Sequence, residues 1–209
     1  MTTRCIILGA GAAGRTVASA CRHLGGELGF LDDHVTEREV NGIPVLGTLA
    51  DRVNYRDALY IVAFGNRFQK ERRKVFHQMR AEGYHFFNAI APEAYVDSYA
   101  ILGTGVFVGA QGAILPNATI GDNCFMCVAC TVDHDSRIGE GVYLSPGVNI
   151  AGTVVVEEGV FVGTNATIIS NRRIGAWATI GAGAVVLRDV AAGDVVAGVP
   201  ARSLMADGR

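Results

Sequence analysis

One histidine in the second half of the chain stands between two acids, and these side chains could carry general-base chemistry. His134 is flanked by Asp133 and Asp135, whereas the other four histidines all precede residue 88. An imidazole has an unshifted pKa of about 6.5, so it can accept a proton near neutral pH. A carboxylate beside it can set which ring nitrogen carries a proton. The sequence therefore indicates His134 as a candidate general base, with either acid as its partner.

A glycine-rich segment near the start of the chain has the spacing of a phosphate-binding turn. Gly9, Gly11 and Gly14 follow the apolar run 4–8, and Asp32 comes eighteen residues after Gly14. Backbone N–H groups at the start of a helix can bind a diphosphate, and a carboxylate after the next strand can accept a ribose or base donor. This half is too short for a complete dinucleotide fold, so the motif favours a mononucleotide diphosphate over a nicotinamide cofactor or a purely structural turn.

Three cysteines at intervals of three residues resemble a metal- or cluster-binding run. Cys124 and Cys130, however, occupy successive small positions of a repeat with period six, where Cys serves as a compact apolar residue, and Cys127 lies elsewhere in its hexad. No fourth Cys follows them. We therefore predict buried thiols and no metal site.

These candidate residues belong to two segments with different periodicity. Every sixth residue from Val96 to Val186 is aliphatic or Met, and a small residue or Val follows four positions later everywhere except at Arg172. A helix repeats every three to four residues and an exposed strand every two, so the pattern fits neither. It is typical of a β-solenoid whose short strands form the flat sides of a prism. If three hexads close one coil, Gly152 stacks directly beside His134.

The first segment alternates strands with helices, which predicts a small parallel α/β sheet. A strand is expected at residues 4–8, a helix at 15–24, strands ending at residues 31 and 64, a helix at 67–82 and a strand at 84–87. The predicted boundaries are an α/β domain at 1–88, a linker at 89–95 around Pro92, a β-helix at 96–191 and a C-terminal tail at 192–209.

Composition excludes several classes of protein. Half of the residues are hydrophobic (50%), 18% are charged, and the formal net charge is −2. No long run of Lys and Arg occurs, so a nucleic-acid or anionic-membrane surface is not expected. No apolar stretch reaches membrane-spanning length, and the five cysteines suit a reducing compartment, so the sequence predicts a cytoplasmic protein that acts on small molecules.

The hexad repeat, followed by the segment 196–202 (VAGVPAR), resembles the hexapeptide-repeat acyltransferases, which are left-handed parallel β-helices and usually trimers. Joined to a short α/β domain, it is similar to the PglD/NeuD-type sugar acetyltransferases, which acetylate UDP-4-amino sugars or related sugars. The resemblance covers nearly the whole chain. It implies a Rossmann-like nucleotide-sugar domain before the β-helix, acetyl-CoA as co-substrate and a homotrimer.

The resemblance also implies roles for individual residues. It makes His134 the catalytic base, Asp135 its partner and the Gly152 N–H a donor to the thioester carbonyl. The residues implied to bind the nucleotide sugar are Gly11, Ala12, Ala13, Asp32, Asp33, Gly65 and Asn66. The other residues implied to bind acetyl-CoA are Tyr143, Thr164, Ala182, Pro200 and Arg202. The family often has His where this chain has Tyr143, and Asn where it has Cys127.

The function expected from these observations is acetyl-CoA-dependent N-acetylation of a nucleotide-linked amino sugar, by direct attack of the amine on the thioester. Two alternatives remain open. One is O-acetylation of a sugar such as sialic acid on the same scaffold. The other is a trimeric protein that binds a nucleotide sugar without catalysis. A nicotinamide oxidoreductase is a third, weaker interpretation and requires NAD(H) binding by the first domain.

Overall fold

The computed structural model describes residues 4–24 and 26–204 and contains a parallel α/β sheet followed by a β-helix. The N-terminal elements are β1 (Arg4–Leu8), α1 (Ala12–Cys21), β2 (Glu27–Leu31), β3 (Glu39–Val40), β4 (Ile43–Pro44), β5 (Leu59–Val62), α2 (Gln69–Ala81) and β6 (His85–Phe86). Short 3-10 helices occupy Arg22–Leu24, Leu49–Tyr55 and Asn66–Phe68.

Four strands form one parallel sheet in the order β2-β1-β5-β6, while β3 and β4 form a separate hairpin. Strands β2 and β5 lie on opposite sides of β1. The carboxyl ends of β1 and β5 therefore border the topological switch point, which is where open α/β sheets bind ligands. Helix α1 begins at Ala12, three residues before the predicted start, because Gly11 adopts the extended backbone of an N-cap.

The strands of the β-helix are two or three residues long and form three parallel faces. The first face contains Ala89–Ile90, Phe107–Val108, Phe125–Met126, Tyr143–Leu144, Phe161–Val162, Thr179–Ile180 and Val195–Ala197, with Arg202–Ser203 antiparallel at its edge. The second face contains Tyr95–Val96, Ala113–Ile114, Thr131–Val132, Asn149–Ile150, Thr167–Ile168 and Val185–Val186. The third face contains Ile101–Leu102, Thr119–Ile120, Arg137–Ile138, Val155–Val156 and Arg173–Ile174.

The period of six has a direct structural cause. The aliphatic residue of each hexad is the second residue of its strand, and it is buried at every position from Val108 to Val186. Every sixth residue from 105 to 183 turns a corner with φ between +54° and +72°. Gly and Asn, which adopt this conformation at low cost, hold most of these corners. Strand partners in neighbouring coils, such as Phe107 and Phe125, are eighteen positions apart, as the repeat predicted.

The linker predicted at 89–95 is wrong, because these residues already belong to the β-helix. Ala89–Ile90 pairs in parallel with Phe107–Val108 on the first face. Ile90 precedes Val96 by six positions, so the aliphatic column begins one hexad earlier than the sequence analysis placed it. The α/β domain therefore passes into the β-helix without a spacer.

The predicted C-terminal tail also contributes to the β-helix. Val196 pairs with Ile180, and Val190 forms a bridge with Ile174, each pair being sixteen positions apart. The last coil is thus two residues shorter than the others, which shifts the aliphatic column out of the six-residue register. The rest of the predicted tail, residues 205–209, lies outside the described residues.

Helix α2 fixes the α/β domain against the β-helix. Its basic side chains face a column of acids eighteen residues apart, Asp122, Glu140 and Glu158. Arg73 lies 2.8 Å from Glu140 and 2.5 Å from Glu158, and Arg80 pairs with Asp122. One helical turn of about 5.4 Å nearly matches the coil spacing of about 4.8 Å, so successive turns meet successive coils. No helix among the described residues is long and apolar enough to cross a membrane.

Candidate functional site

The candidate base and its neighbour lie at the corner between the second and third faces. Asp135 turns this corner with φ +57°, so its side chain does not point away from that of His134 as it would along a strand. Asp135 Oδ2 lies 2.8 Å from His134 Nδ1. Asp133, the other candidate partner, instead accepts the His134 backbone N–H at 2.7 Å. The ring partner in this structure is therefore Asp135.

The two acids change the protonation of the imidazole. The hydrogen bond that the imidazole donates to Asp135, followed by the charge of Asp133, raises the pKa of His134 above its ordinary value. The hydrogen bond from His134, followed by one from Asn117, lowers the pKa of Asp135. The His134 side chain is 55% exposed, and Nε2 has no hydrogen-bond partner among the described residues. Sequence reasoning missed Asn117, although it precedes Asp135 by one coil of eighteen residues.

Gly152 lies against His134, as the coil length predicted. The N–H of Thr153 donates to the carbonyl of His134 at 2.9 Å, which places the two coils in register. A Cβ built on Gly152 would be 2.5 Å from His134 Nε2, so only glycine allows the ring to lie this close. Gly152 is buried, and its N–H meets no acceptor among residues 4–24 and 26–204. This N–H is therefore available to donate to a ligand oxygen.

The glycine-rich turn forms one wall of the crevice at the switch point. Gly11 caps α1, and Ala12 and Ala13 form its first turn, where backbone N–H groups are free of helical partners. Gly65 caps the 3-10 helix that begins at Asn66, at the end of the neighbouring strand β5. A Cβ on Gly11 or Gly65 would meet no atom of the described residues within 4 Å, apart from its chain neighbours. The space beside both glycines is therefore open to a ligand.

The third glycine of the turn has a different role. A Cβ on Gly14 would be 1.8 Å from the carbonyl oxygen of Gly9, so Gly14 is needed for α1 to approach the turn. Gly9 itself has φ +99°, a conformation that favours glycine. These two glycines shape the turn, and Gly11 leaves it accessible.

The two predicted acids follow β2 and hold neighbouring loops. Asp32 accepts the N–H of Ala10 at 2.7 Å, that of His34 at 2.8 Å and that of Val35 at 3.0 Å. Burial alone would raise the pKa of Asp32, but these three hydrogen bonds outweigh it and the pKa is lowered. Asp33 Oδ1 accepts the N–H of Leu49 at 2.8 Å. Asp32 therefore positions the glycine-rich turn, and Asp33 keeps one carboxylate oxygen open to a ligand.

The remaining residues predicted to bind acetyl-CoA lie elsewhere on the prism. Thr164 and Ala182 stack in neighbouring coils at the corner between the first and second faces. Pro200 and Arg202 belong to the C-terminal hairpin, which the Ala201 N–H joins to Val185 at 2.8 Å. A single chain therefore does not gather these residues around His134.

Tyr143 lies on the first face, beneath α2. Its ring stacks on Phe125 at 5.0 Å between centroids, and its hydroxyl lies 3.5 Å from Cys127 Sγ. The two positions at which this chain departs from the family pattern are thus in contact. Arg72 of α2 covers them: it is fully buried, donates to the Gly141 carbonyl at 2.8 Å, and burial lowers its pKa to about 10.

The cysteines are part of the β-helix interior. Cys124 and Cys130 face inward, and burial raises the pKa of each thiol to about 12, so both are protonated at neutral pH. All five cysteines are free and buried. Within the described parts of the chain, no group of three or more His, Cys, Asp or Glu side chains could hold a metal ion.

Comparison with known proteins matches both halves of the chain. A family model of the PglD N-terminal domain matches residues 4–79, and a model of the bacterial transferase hexapeptide (six repeats) matches residues 153–188. GDP-perosamine N-acetyltransferase from Escherichia coli O157:H7 is 33% identical over 211 residues, covering 95% of each chain.

Solved structures extend this similarity to the whole fold. The acetyltransferase domain of PglB from Neisseria gonorrhoeae FA1090, in complex with acetyl coenzyme A, has a TM-score of 0.92 and 34% identity, covering 98% of this chain and 100% of that chain. PerB from Caulobacter crescentus, in complex with CoA and GDP-perosamine, has a TM-score of 0.88 and 33% identity, covering 95% and 96%. The β-solenoid is therefore the expected left-handed β-helix. This chain belongs to the PglD-type hexapeptide-repeat sugar N-acetyltransferases.

Proposed function

We propose that this protein transfers the acetyl group of acetyl-CoA to the amine of a nucleotide-linked amino sugar, with His134 as general base. The observation that carries the proposal is the contact between His134 Nε2 and the glycine at position 152, whose N–H has no acceptor in the described chain. These are the two groups that amine attack on a thioester needs, a proton acceptor and a donor to the carbonyl oxygen. The functions named for the relatives agree with this chemistry.

The mechanism follows from the orientation of the ring. Because Asp135 is acceptor-only when ionised, the 2.8 Å contact assigns the proton to His134 Nδ1 and leaves a lone pair on Nε2. The sugar amine attacks the thioester carbon, and Nε2 takes the proton that the nitrogen loses as the C–N bond forms. The Gly152 N–H donates to the carbonyl oxygen as it becomes negative. The C–S bond then breaks, and the proton passes from His134 to the CoA sulfur.

The nucleotide diphosphate is proposed to bind at the crevice between β1 and β5. The first-turn N–H groups of α1 supply donors, and the dipole of α1 favours an anion at the same place. Gly65 and Asn66 form the opposite wall, and Asp33 has a carboxylate oxygen available for a ribose or base donor. Because the turn offers Gly and Ala only, contacts with the diphosphate would be made chiefly by backbone atoms.

A homotrimer is proposed because one chain does not assemble the acetyl-CoA site. His134 and Gly152 lie at one edge of the second face, and Thr164 and Ala182 lie at its other edge. Three prisms around a threefold axis can bring the first edge of one chain next to the second edge of its neighbour, which creates a groove for the pantetheine arm.

The test of the proposal is a kinetic comparison of His134→Ala with the wild-type protein. Removal of a general base should lower kcat by at least about a hundredfold. His85→Ala, which changes an exposed histidine of the α/β domain, is the matched control and should retain full activity. If His134→Ala kept near-wild-type turnover, the base assignment would be wrong.

A substrate panel tests the acceptor. UDP- and GDP-linked 4-amino sugars should release CoA from acetyl-CoA, and free sialic acid should not. Activity with sialic acid alone would instead support O-acetylation. Binding of a nucleotide sugar without turnover of any acceptor in the panel would favour a non-catalytic role.

A further inference from the structure

The corner that carries Asp135 is a column of polar residues in successive coils. Asn117, Asp135, Thr153 and Asn171 have φ values of +62°, +57°, +58° and +62°. Their side chains connect in pairs: Asn117 Nδ2 donates to Asp135 Oδ1 at 3.1 Å, and Thr153 Oγ1 donates to Asn171 Oδ1 at 2.7 Å. The Asn117–Asp135 pair reaches the His134 ring, whereas neither side chain of the Thr153–Asn171 pair hydrogen-bonds to that ring.

Asn117 and His134 use different oxygens of one carboxylate. Asn117 Nδ2 contacts Oδ1 of Asp135, and His134 Nδ1 contacts Oδ2 at 2.8 Å. The Asp135 side chain is 49% exposed, so water competes for both oxygens and the carboxylate is not held by packing. A charge-assisted hydrogen bond to one oxygen limits rotation of the group and keeps the other directed at the imidazole. The oriented carboxylate fixes the ring plane of His134, and the ring plane determines the direction of Nε2 relative to Gly152.

We propose that Asn117 is a positioning residue for acyl transfer, which orients the Asp135 carboxylate and through it the His134 imidazole. The inference rests on the proposed function of His134. The side-chain hydrogen bond of Asn117 goes to Asp135 and not to His134. Its effect on catalysis passes entirely through Asp135.

A merely structural role must be separated from this one, since Asn is common at corners with left-handed backbone. Asn117→Gly makes the separation, because glycine adopts φ +62° freely, so the substitution removes the side-chain amide without straining the corner. Asn171→Gly is the matched control: it has the same φ and the same column, but its side chain bonds to Thr153 rather than Asp135. A structural role predicts equal effects of the two substitutions.

We expect Asn117→Gly to lower kcat about tenfold through misorientation of the base, with an unchanged KM for acetyl-CoA. Asn171→Gly should stay within about twofold of the wild type on both parameters. In the His134→Ala background, Asn117→Gly should add no further loss, because the residue acts through the imidazole. Wild-type kcat in Asn117→Gly, or an equal loss in Asn171→Gly, would overturn the proposal.

A second readout follows the pKa of His134 itself. The charged groups that face His134 are Asp133 and Asp135, and the hydrogen bond with Asp135 is the largest cause of the raised pKa. In Asn117→Gly the carboxylate is no longer oriented, so the acid limb of the kcat profile and the imidazole titration followed by NMR should move to lower pH, whereas neither should move in Asn171→Gly. An unchanged titration of His134 in Asn117→Gly would contradict the proposed path through Asp135.

The two levels of inference fail in different ways. If His134→Ala retains activity, the proposed function fails, whatever Asn117 does. If His134→Ala is inactive and Asn117→Gly is fully active, only the positioning role fails.

Discussion

Replacing Gly152 with alanine should disable the site without unfolding the protein. A Cβ at this position would lie 2.5 Å from His134 Nε2 and 2.7 Å from Cε1. Non-bonded heavy atoms need about 3.5 Å, so the imidazole has to move by about 1 Å. A displacement of this size can reduce turnover about a hundredfold, which corresponds to about 2.7 kcal/mol in the activation barrier.

The substitution isolates the position of the base. Alanine keeps the backbone N–H of residue 152, and Gly152 does not have a left-handed φ, so neither the donor nor the backbone conformation is lost. The half-exposed ring can swing into solvent, so the melting temperature should change little. Ser170→Ala, one coil further along the same corner, is the control and should be neutral.

The assay is the initial rate of CoA release with saturating acetyl-CoA and a nucleotide-linked amino sugar, alongside thermal unfolding. A Gly152→Ala protein that folds normally and keeps kcat/KM within about threefold of the wild type would refute the reasoning. That result would mean that the ring does not work from the position it has in this structure.

Three further outcomes follow from the same geometry. Because Asp135 raises the pKa of His134 and only the neutral imidazole accepts a proton, Asp135→Asn should move the acid limb of the kcat/KM profile to lower pH and reduce its plateau. Gly14→Ala should weaken nucleotide-sugar binding in calorimetry and cost about 1–3 kcal/mol of stability, since its Cβ would meet the Gly9 carbonyl oxygen at 1.8 Å. Arg72→Met should leave stability to urea nearly unchanged, because the buried guanidinium has two unpaired nitrogens, whereas Arg72→Ala should lose about 2–4 kcal/mol to the cavity it creates.

The β-helix could be predicted from the sequence because its interior is narrow. Each side admits one bulky and one small residue, so the constraint repeats at every hexad and is visible without an alignment. The first coil could have been predicted in the same way, since Ile90 and Ala94 are the aliphatic and small residues of one further hexad. Pro92 instead favoured a linker there. The short last coil could not be predicted from the repeat. It lacks two residues, so Val196 no longer falls at a six-residue interval from the aliphatic residues before it.

The crevice of the α/β domain was predictable as a place but not in its contacts. The motif located the turn and the two acids that follow β2, but it placed the start of α1 three residues too late. It did not show that the Asp32 carboxylate accepts hydrogen bonds from three backbone N–H groups, because those donors come from loops whose paths depend on tertiary structure. The open space beside Gly11 and Gly65 is likewise a property of packing, since a glycine needed for close approach and one that leaves room look the same in sequence.

The pairing of His134 with Asp135 could not be derived from residue spacing alone. Adjacent side chains diverge on a strand, so the pair requires the corner at residue 135, and the sequence defines that corner only once the phase of the coil is known. The same phase brings Gly152 from one coil and Asn117 from the other to the base. The geometry of the catalytic site therefore depends on coil length. One residue inserted between 135 and 152 would move the Gly152 N–H away from His134. The two-residue shortening near the C-terminus lies beyond the catalytic coils, so it leaves their register intact.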